Sequence, residues 1–146
     1  MKWINKICIG TPQFSGLYGV TNKGKKKINS KNIQKIFKFI KSNKINFLDT
    51  ALSYKKAEKN IFLSKTNTSN FQIITKISRP QNESNYEHKI FKEINKSINQ
   101  FKIKKFYFIL LHDSNNLKKN EMNKILEILY KLKRKKLNKY IGFSIY

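Results

Sequence analysis

Short apolar runs alternate with longer stripes of apolar residues at helical spacing along the chain. Ile7-Cys8-Ile9, Ile45-Asn46-Phe47-Leu48, Phe71-Gln72-Ile73-Ile74, Phe106-Tyr107-Phe108-Ile109-Leu110-Leu111 and Tyr140-Ile141-Gly142-Phe143 are short and rich in β-branched and aromatic residues, which predicts five buried strands. Between them, Ile33, Ile36, Phe37 and Ile40 recur every three or four positions, the apolar face of an amphipathic helix. Ser30 precedes that stripe and is the predicted N-cap. Ser84 and Glu87 have the spacing of a capping box ahead of Ile90, Phe91, Ile94, Ile98 and Phe101. Met122, Ile125, Leu126, Leu129 and Leu132 mark another helix, and Ala57, Ile61 and Phe62 a shorter one.

Strand and helix therefore alternate, which implies parallel strands joined by right-handed crossovers in an α/β fold. The strands end near Gly10, Asp49, Lys76, His112 and Ser144, about 27 to 39 residues apart. That spacing suits an open doubly wound sheet or a (β/α) barrel. A complete eight-unit barrel needs about 250 residues. A chain of 146 residues has room for about half of one, as a single domain.

Composition narrows the picture. Hydrophobic residues make up 39% and aromatic residues 13%, enough to bury a core. The formal net charge of +24 would ordinarily point to nucleic acid. Yet Arg occurs only at Arg79 and Arg134, the other basic residues being Lys spread from Lys2 to Lys139, and base readout favours Arg. A solvated lysine coat is the better account, with Lys23-Gly24-Lys25-Lys26-Lys27 an exposed loop. Cys8 is the single cysteine and there are two histidines, which excludes an internal disulfide framework and a Cys/His zinc cluster. No apolar run reaches signal-peptide or membrane-span length, so the expectation is a cytoplasmic protein without a membrane anchor.

Candidate chemistry sits at the strand ends. Asp49, Lys76, His112 and Ser144 each close an apolar run, and in parallel α/β folds such ends converge on one face. Singly, Asp49 reads equally well as a helix cap, Lys76 as a solvated lysine and His112 as a core histidine. Together they describe a site in which Asp49 pairs with Lys76. Tyr54 lies in the loop after Asp49, and an ammonium beside a phenol lowers its pKa, making Tyr54 a candidate general acid.

At these positions the chain resembles the aldo-keto reductase family. Asp49-Thr50-Ala51-Leu52-Ser53-Tyr54 with Ala57-Glu58 is similar to the family's D-T-A-x-x-Y segment, and Thr75-Lys76, Leu111-His112-Asp113 and Gly142-Phe143-Ser144 follow in the family's order. Gly10-Thr11-Pro12-Gln13-Phe14, with Tyr18-Gly19-Val20 and Asn22, is similar to the opening of a bacterial branch associated with surface-sugar pathways. The resemblance covers essentially the whole chain and corresponds to the N-terminal half of a (β/α)8 TIM barrel, through its fifth strand.

The resemblance implies NADPH-dependent reduction of a small-molecule carbonyl substrate. Tyr54 would be the proton donor, Lys76 the cation lowering its pKa, Asp49 the carboxylate orienting Lys76, and His112 the donor orienting the carbonyl. It further implies NADP(H) contacts at Gly10, Thr11 and Ser144, a substrate contact at Gln13, and no metal. Ser15 and Lys55 stand where that branch usually has Gly, Ile145 replaces an Asn, and Lys136 stands where a helix-ending Gly is expected. A half barrel leaves open sheet edges, so the expected partner is a separate C-terminal half or a second copy. The alternatives are an inactive fragment acting only through association, and a basic nucleic-acid-binding α/β domain.

Overall fold

The computed structural model describes residues 6–16, 28–79, 84–112, 114–115 and 117–145. Tyr18-Gly19-Val20, Asn22, the Lys23–Lys27 run, Asp113 and Tyr146 lie outside the described residues. The five strands among the described residues are β1 (Cys8–Gly10), β2 (Phe47–Asp49), β3 (Gln72–Ile77), β4 (Phe106–Leu111) and β5 (Asn138–Phe143). The helices among the described residues are α1 (Ser30–Ser42), α2 (Lys55–Leu63), α3 (Tyr86–Phe101) and α4 (Lys119–Arg134). Every strand pair is parallel, and the spatial order β1-β2-β3-β4-β5 follows the chain. A doubly wound sheet reverses its strand order at a switch point. This one advances without reversal, as consecutive units of a (β/α)8 barrel do.

The helix stripes bury Ile33, Phe37 and Ile40 from α1, Ile90, Ile94 and Phe101 from α3, and Ile125, Leu129 and Leu132 from α4. From the sheet they meet Leu48, Ile73, Ile77, Ile109 and Leu111, in one core cluster. Each such side chain contributes roughly 1.5–3 kcal/mol by leaving water. The rings of Phe47, Tyr107, Phe108 and Tyr140 form a second, partly exposed cluster joining β2, β4 and β5. No helix among the described residues is long and apolar enough to cross a membrane.

Two predicted caps differ. Asn29, not Ser30, caps α1, its Oδ1 accepting from Asn32 N at 2.9 Å, and Ser30 becomes the first helical residue. The Ser84–Glu87 box does not form, because α3 starts at Tyr86 and the Glu87 carboxylate instead accepts from Lys131 Nζ of α4 at 2.7 Å. The reaching-back bond appears on α4, where Glu121 Oε2 accepts from Lys118 N at 2.9 Å.

Candidate active site

The hydrogen-bond ladder continues past the strand ends and fixes the residues that follow them. Thr11 N donates to Asp49 O (2.9 Å), Thr50 N to Ile74 O (2.8 Å), His112 N to Ile77 O (2.7 Å) and Ser144 N to Leu111 O (2.9 Å). The candidate residues thus stand on one rim, at the carboxyl ends of the strands.

Lys76 is the most buried of the charged residues among them, 6% exposed on β3. Its Nζ donates to Asp49 Oδ1 at 2.6 Å, Asp49 Oδ2 at 2.7 Å and the Thr50 carbonyl at 3.1 Å. Three acceptors match the three N–H groups of an ammonium, so burying this charge leaves no donor unsatisfied. The register places Asp49 beside Ile74, two residues before Lys76 on the same face of β3, which is why the pair meets.

Tyr54 ends a single 3-10 turn, Leu52–Tyr54, anchored by buried Leu52 and by Tyr54 N donating to Ala51 O at 2.8 Å. Its ring meets His112 edge to face, with centroids 6.1 Å apart and planes at 87°. The structure therefore makes two pairs, Asp49 with Lys76 and Tyr54 with His112, and the loop from Thr50 to Tyr54 joins them.

The other predicted residues surround these pairs. Gly10 is opposite Asp49 in the register, and a Cβ there would meet only Pro12 Cδ within ordinary contact distance, 3.7 Å. Thr11 is fully buried, and its hydroxyl has no hydrogen-bond partner among the described residues. Ser144 closes the far edge of the rim, its carbonyl accepting from Ser114 N and Oγ. Gln13 lies exposed in the 3-10 turn Pro12–Ser15. Gly142 pairs with Leu110, whose Cδ2 would stand 3.1 Å from an added Cβ, so a larger residue there would crowd the strand interior.

Two neighbours of the site carried no sequence signal for it. The Cys8 thiol, on β1, is pushed up to about 11, by burial first and the Asp49 carboxylate second, with Lys76 opposing. Beside the Tyr54 turn, a cleft of about 190 Å³ opens between the starts of α2 and α3, lined by Ser53, Lys55, Ser78, Arg79 and Glu93 among others. Lys55, where the branch that the chain resembles usually has Gly, spans its wall to Glu93 at 2.8 Å.

The aldo/keto reductase family model matches residues 6–146. The chain belongs to this family. No curated protein sequence matches it. Among solved structures it is similar to a Pseudomonas aeruginosa protein assigned to the aldo-keto reductases, at 16% identity and a TM-score of 0.73, covering 94% of this chain and 54% of that one. It is also similar to the holo form of an aldo-keto reductase from Bacillus halodurans, at 17% identity and a TM-score of 0.69, over 95% of this chain and 45% of that one. A thermostable aldo-keto reductase in complex with the inhibitor epalrestat matches at 16% identity and a TM-score of 0.66, over 93% and 47%. These likenesses are likenesses of fold, and the chain spans about half the length of those relatives. An aldo/keto reductase barrel closes with eight strands, so the sheet here is the five-stranded part of one.

Proposed function

We propose that the chain carries the proton-transfer half of a carbonyl-reducing site that works with NADPH. The observation that carries this reading is the buried Lys76–Asp49 pair on the same rim as the Tyr54–His112 pair. Tyr54 protonates the developing alkoxide, and the Lys76 charge stabilises the phenolate left behind. Because Asp49 and Thr50 occupy all three N–H groups of Lys76, its effect on the phenol is that of a held charge. His112 directs the carbonyl towards the phenol.

The cofactor, when bound, supplies the hydride. The residues present suit a nicotinamide: Thr11 has a hydroxyl without a partner among the described residues, and Gly10 adds no side chain beside it. Ser144 would hold the carboxamide. The opening segment Gly10–Phe14 supports assignment to the bacterial branch associated with surface-sugar pathways, and hence a sugar-like carbonyl. By family resemblance, the adenine and 2′-phosphate contacts belong to later strands, so cofactor affinity depends on further βα units, whether in the same polypeptide or a separate one.

The test is NADPH oxidation against a panel of small aldehydes, ketones and sugar-like carbonyls, with the protein carrying or supplied with those units. Tyr54→Phe is expected to lower kcat by about 10²–10⁴-fold while leaving NADPH binding unchanged. Undiminished turnover in that variant would overturn the reading. A second reading, a fragment acting only through association, is favoured by the exposed Tyr140 and Phe143 on β5 and Ile145 just after it.

A further inference from the structure

α2 buries a carboxylate that the proposed reaction does not use. Glu58 is 4% exposed, and its partners are two hydroxyls: Oε1 accepts from Thr50 Oγ1 at 3.3 Å and Oε2 from Ser97 Oγ of α3 at 2.8 Å. Both are themselves buried, at 0% and 2% exposure. A carboxylate held by hydroxyls alone is a costly way to fill a core position.

Thr50 is where that cost connects to the site. Its N–H donates to Ile74 O on β3, its carbonyl accepts from Lys76 Nζ, and its hydroxyl donates to Glu58. Asp49, the other holder of Lys76, is the adjacent residue. We propose that Glu58 is a positioning residue: bridging Thr50 to Ser97, it sets where the Thr50 carbonyl and Asp49 stand and thereby where Lys76 is held. The role of Lys76 towards Tyr54 rests on the function proposed above; the Glu58–Thr50–Lys76 linkage does not.

Charge enters through the surroundings of Glu58. Burial raises its carboxyl to about 7, the Ser97 and Thr50 hydroxyls oppose the rise, Glu93 adds to it and Lys96 lowers it, both on α3. Lys55 and Lys59 of α2 line, with Glu58, Glu93 and Lys96, a second cleft of about 170 Å³, and the Lys76–Asp49 pair lies beyond Thr50. Near neutrality Glu58 therefore passes between a carboxylate that accepts two hydrogen bonds and a carboxyl that must donate one. In the second state Thr50 or Ser97 has to turn its hydroxyl.

The experiment follows the Thr50 amide and the Lys76 ammonium by NMR in the full chain from pH 5 to 9. A His112→Gln background removes the imidazole nearest the site; His88 is exposed on α3. Both signals are expected to titrate with a midpoint near 7, and Glu58→Gln, which keeps the size of the side chain, is expected to abolish that step. Ser97→Ala retains Glu58 but removes one donor to its charged form, and should raise the midpoint by about one pH unit. This second variant keeps the test sharp should Glu58→Gln fail to fold. Signals flat across the range, or a midpoint indifferent to both substitutions, would overturn the proposal. No turnover is measured, so a failure of the reductase reading shows only in the Tyr54→Phe assay.

Discussion

The two ends of the sheet are built to different standards. At the carboxyl-end rim, Lys76 has a partner for each N–H, and the residues that follow β2, β4 and β5 are fixed by ladder bonds to the neighbouring strand. At the opposite rim, where helices turn into the next strand, the chain places Lys44, Lys65, Lys102 and Lys136 at φ of 58°, 55°, 52° and 57°. That left-handed conformation favours Gly after a helix. Three of these turns are complete Schellman motifs, with Ile45 N donating to Ile40 O, Ile103 N to Ile98 O and Leu137 N to Leu132 O. The chain's lysine bias has thus entered turns whose hydrogen bonds and apolar contacts can carry the strain. At the other rim Lys76, the one buried lysine among the described residues, is held by specific acceptors.

The largest effect expected from this contrast is at Asp49. Asp49→Ala leaves the Lys76 ammonium buried with the Thr50 carbonyl as its remaining partner. Removing one member of a buried pair costs on the order of 3 kcal/mol. Partial exposure of the Asp49 side chain, 35%, places the loss towards the lower end of such values. Urea unfolding should show the midpoint fall accordingly, and Lys76→Met in the same background should recover part of it. An Asp49→Ala midpoint close to that of the native chain would show that the two rims do not differ in this way.

The same contrast explains what could be read from the sequence. Asp49, Lys76, His112 and Ser144 were legible because each polar residue interrupts or closes an apolar run, and the pleat and the parallel order then place them together. Spacing did not separate barrel from doubly wound sheet, since strand order is set by pairing and leaves no trace in it; the motifs that resemble the family did. The choice of Asn29 over Ser30 was hidden because two adjacent residues can each cap and the backbone selects one. The Ser84–Glu87 box misled because Glu87 finds an ammonium on α4, a contact 44 residues away. Glu58 was visible only as part of a motif. Its burial comes from α3 and its link to Lys76 from the Thr50 backbone, neither of which has a local pattern. Helix ends were blurred because lysine stands where glycine would mark them.

Glu58 gives the next effect, through pH. Its folded value, about 7, lies above the ordinary 4.5, so folding favours its protonated form. Its contribution is full below about 4.5 and is lost as pH rises through 7. The difference in unfolding free energy between the native chain and Glu58→Gln should therefore shift by up to about 3 kcal/mol between those limits, against the native chain at higher pH. Comparing the two proteins removes most of the effect of the other titrating groups. A pH-independent difference would mean that Glu58 is already ionised throughout and that its hydroxyl partners suffice to hold the charge.

The smallest effects belong to the strained lysines, and they have the opposite sign. Glycine at a left-handed position relieves roughly 1–2 kcal/mol of steric cost. It also adds backbone freedom to the unfolded chain and removes a cation from a helix C-terminus, each a few tenths to 1 kcal/mol. The net expectation for Lys102→Gly or Lys136→Gly is a gain of about 0.5 kcal/mol. Lys104, exposed and without a positive φ, supplies the control: Lys104→Gly has no strain to relieve and should lower stability by about 0.5–1 kcal/mol. Thermal or urea unfolding of these variants separates the explanations. Gains at positions 102 and 136 with a loss at 104 locate the strain in the left-handed turns. Equal losses at all three would show instead that lysine at these turns is better than glycine, and that the lower rim is as closely specified as the upper.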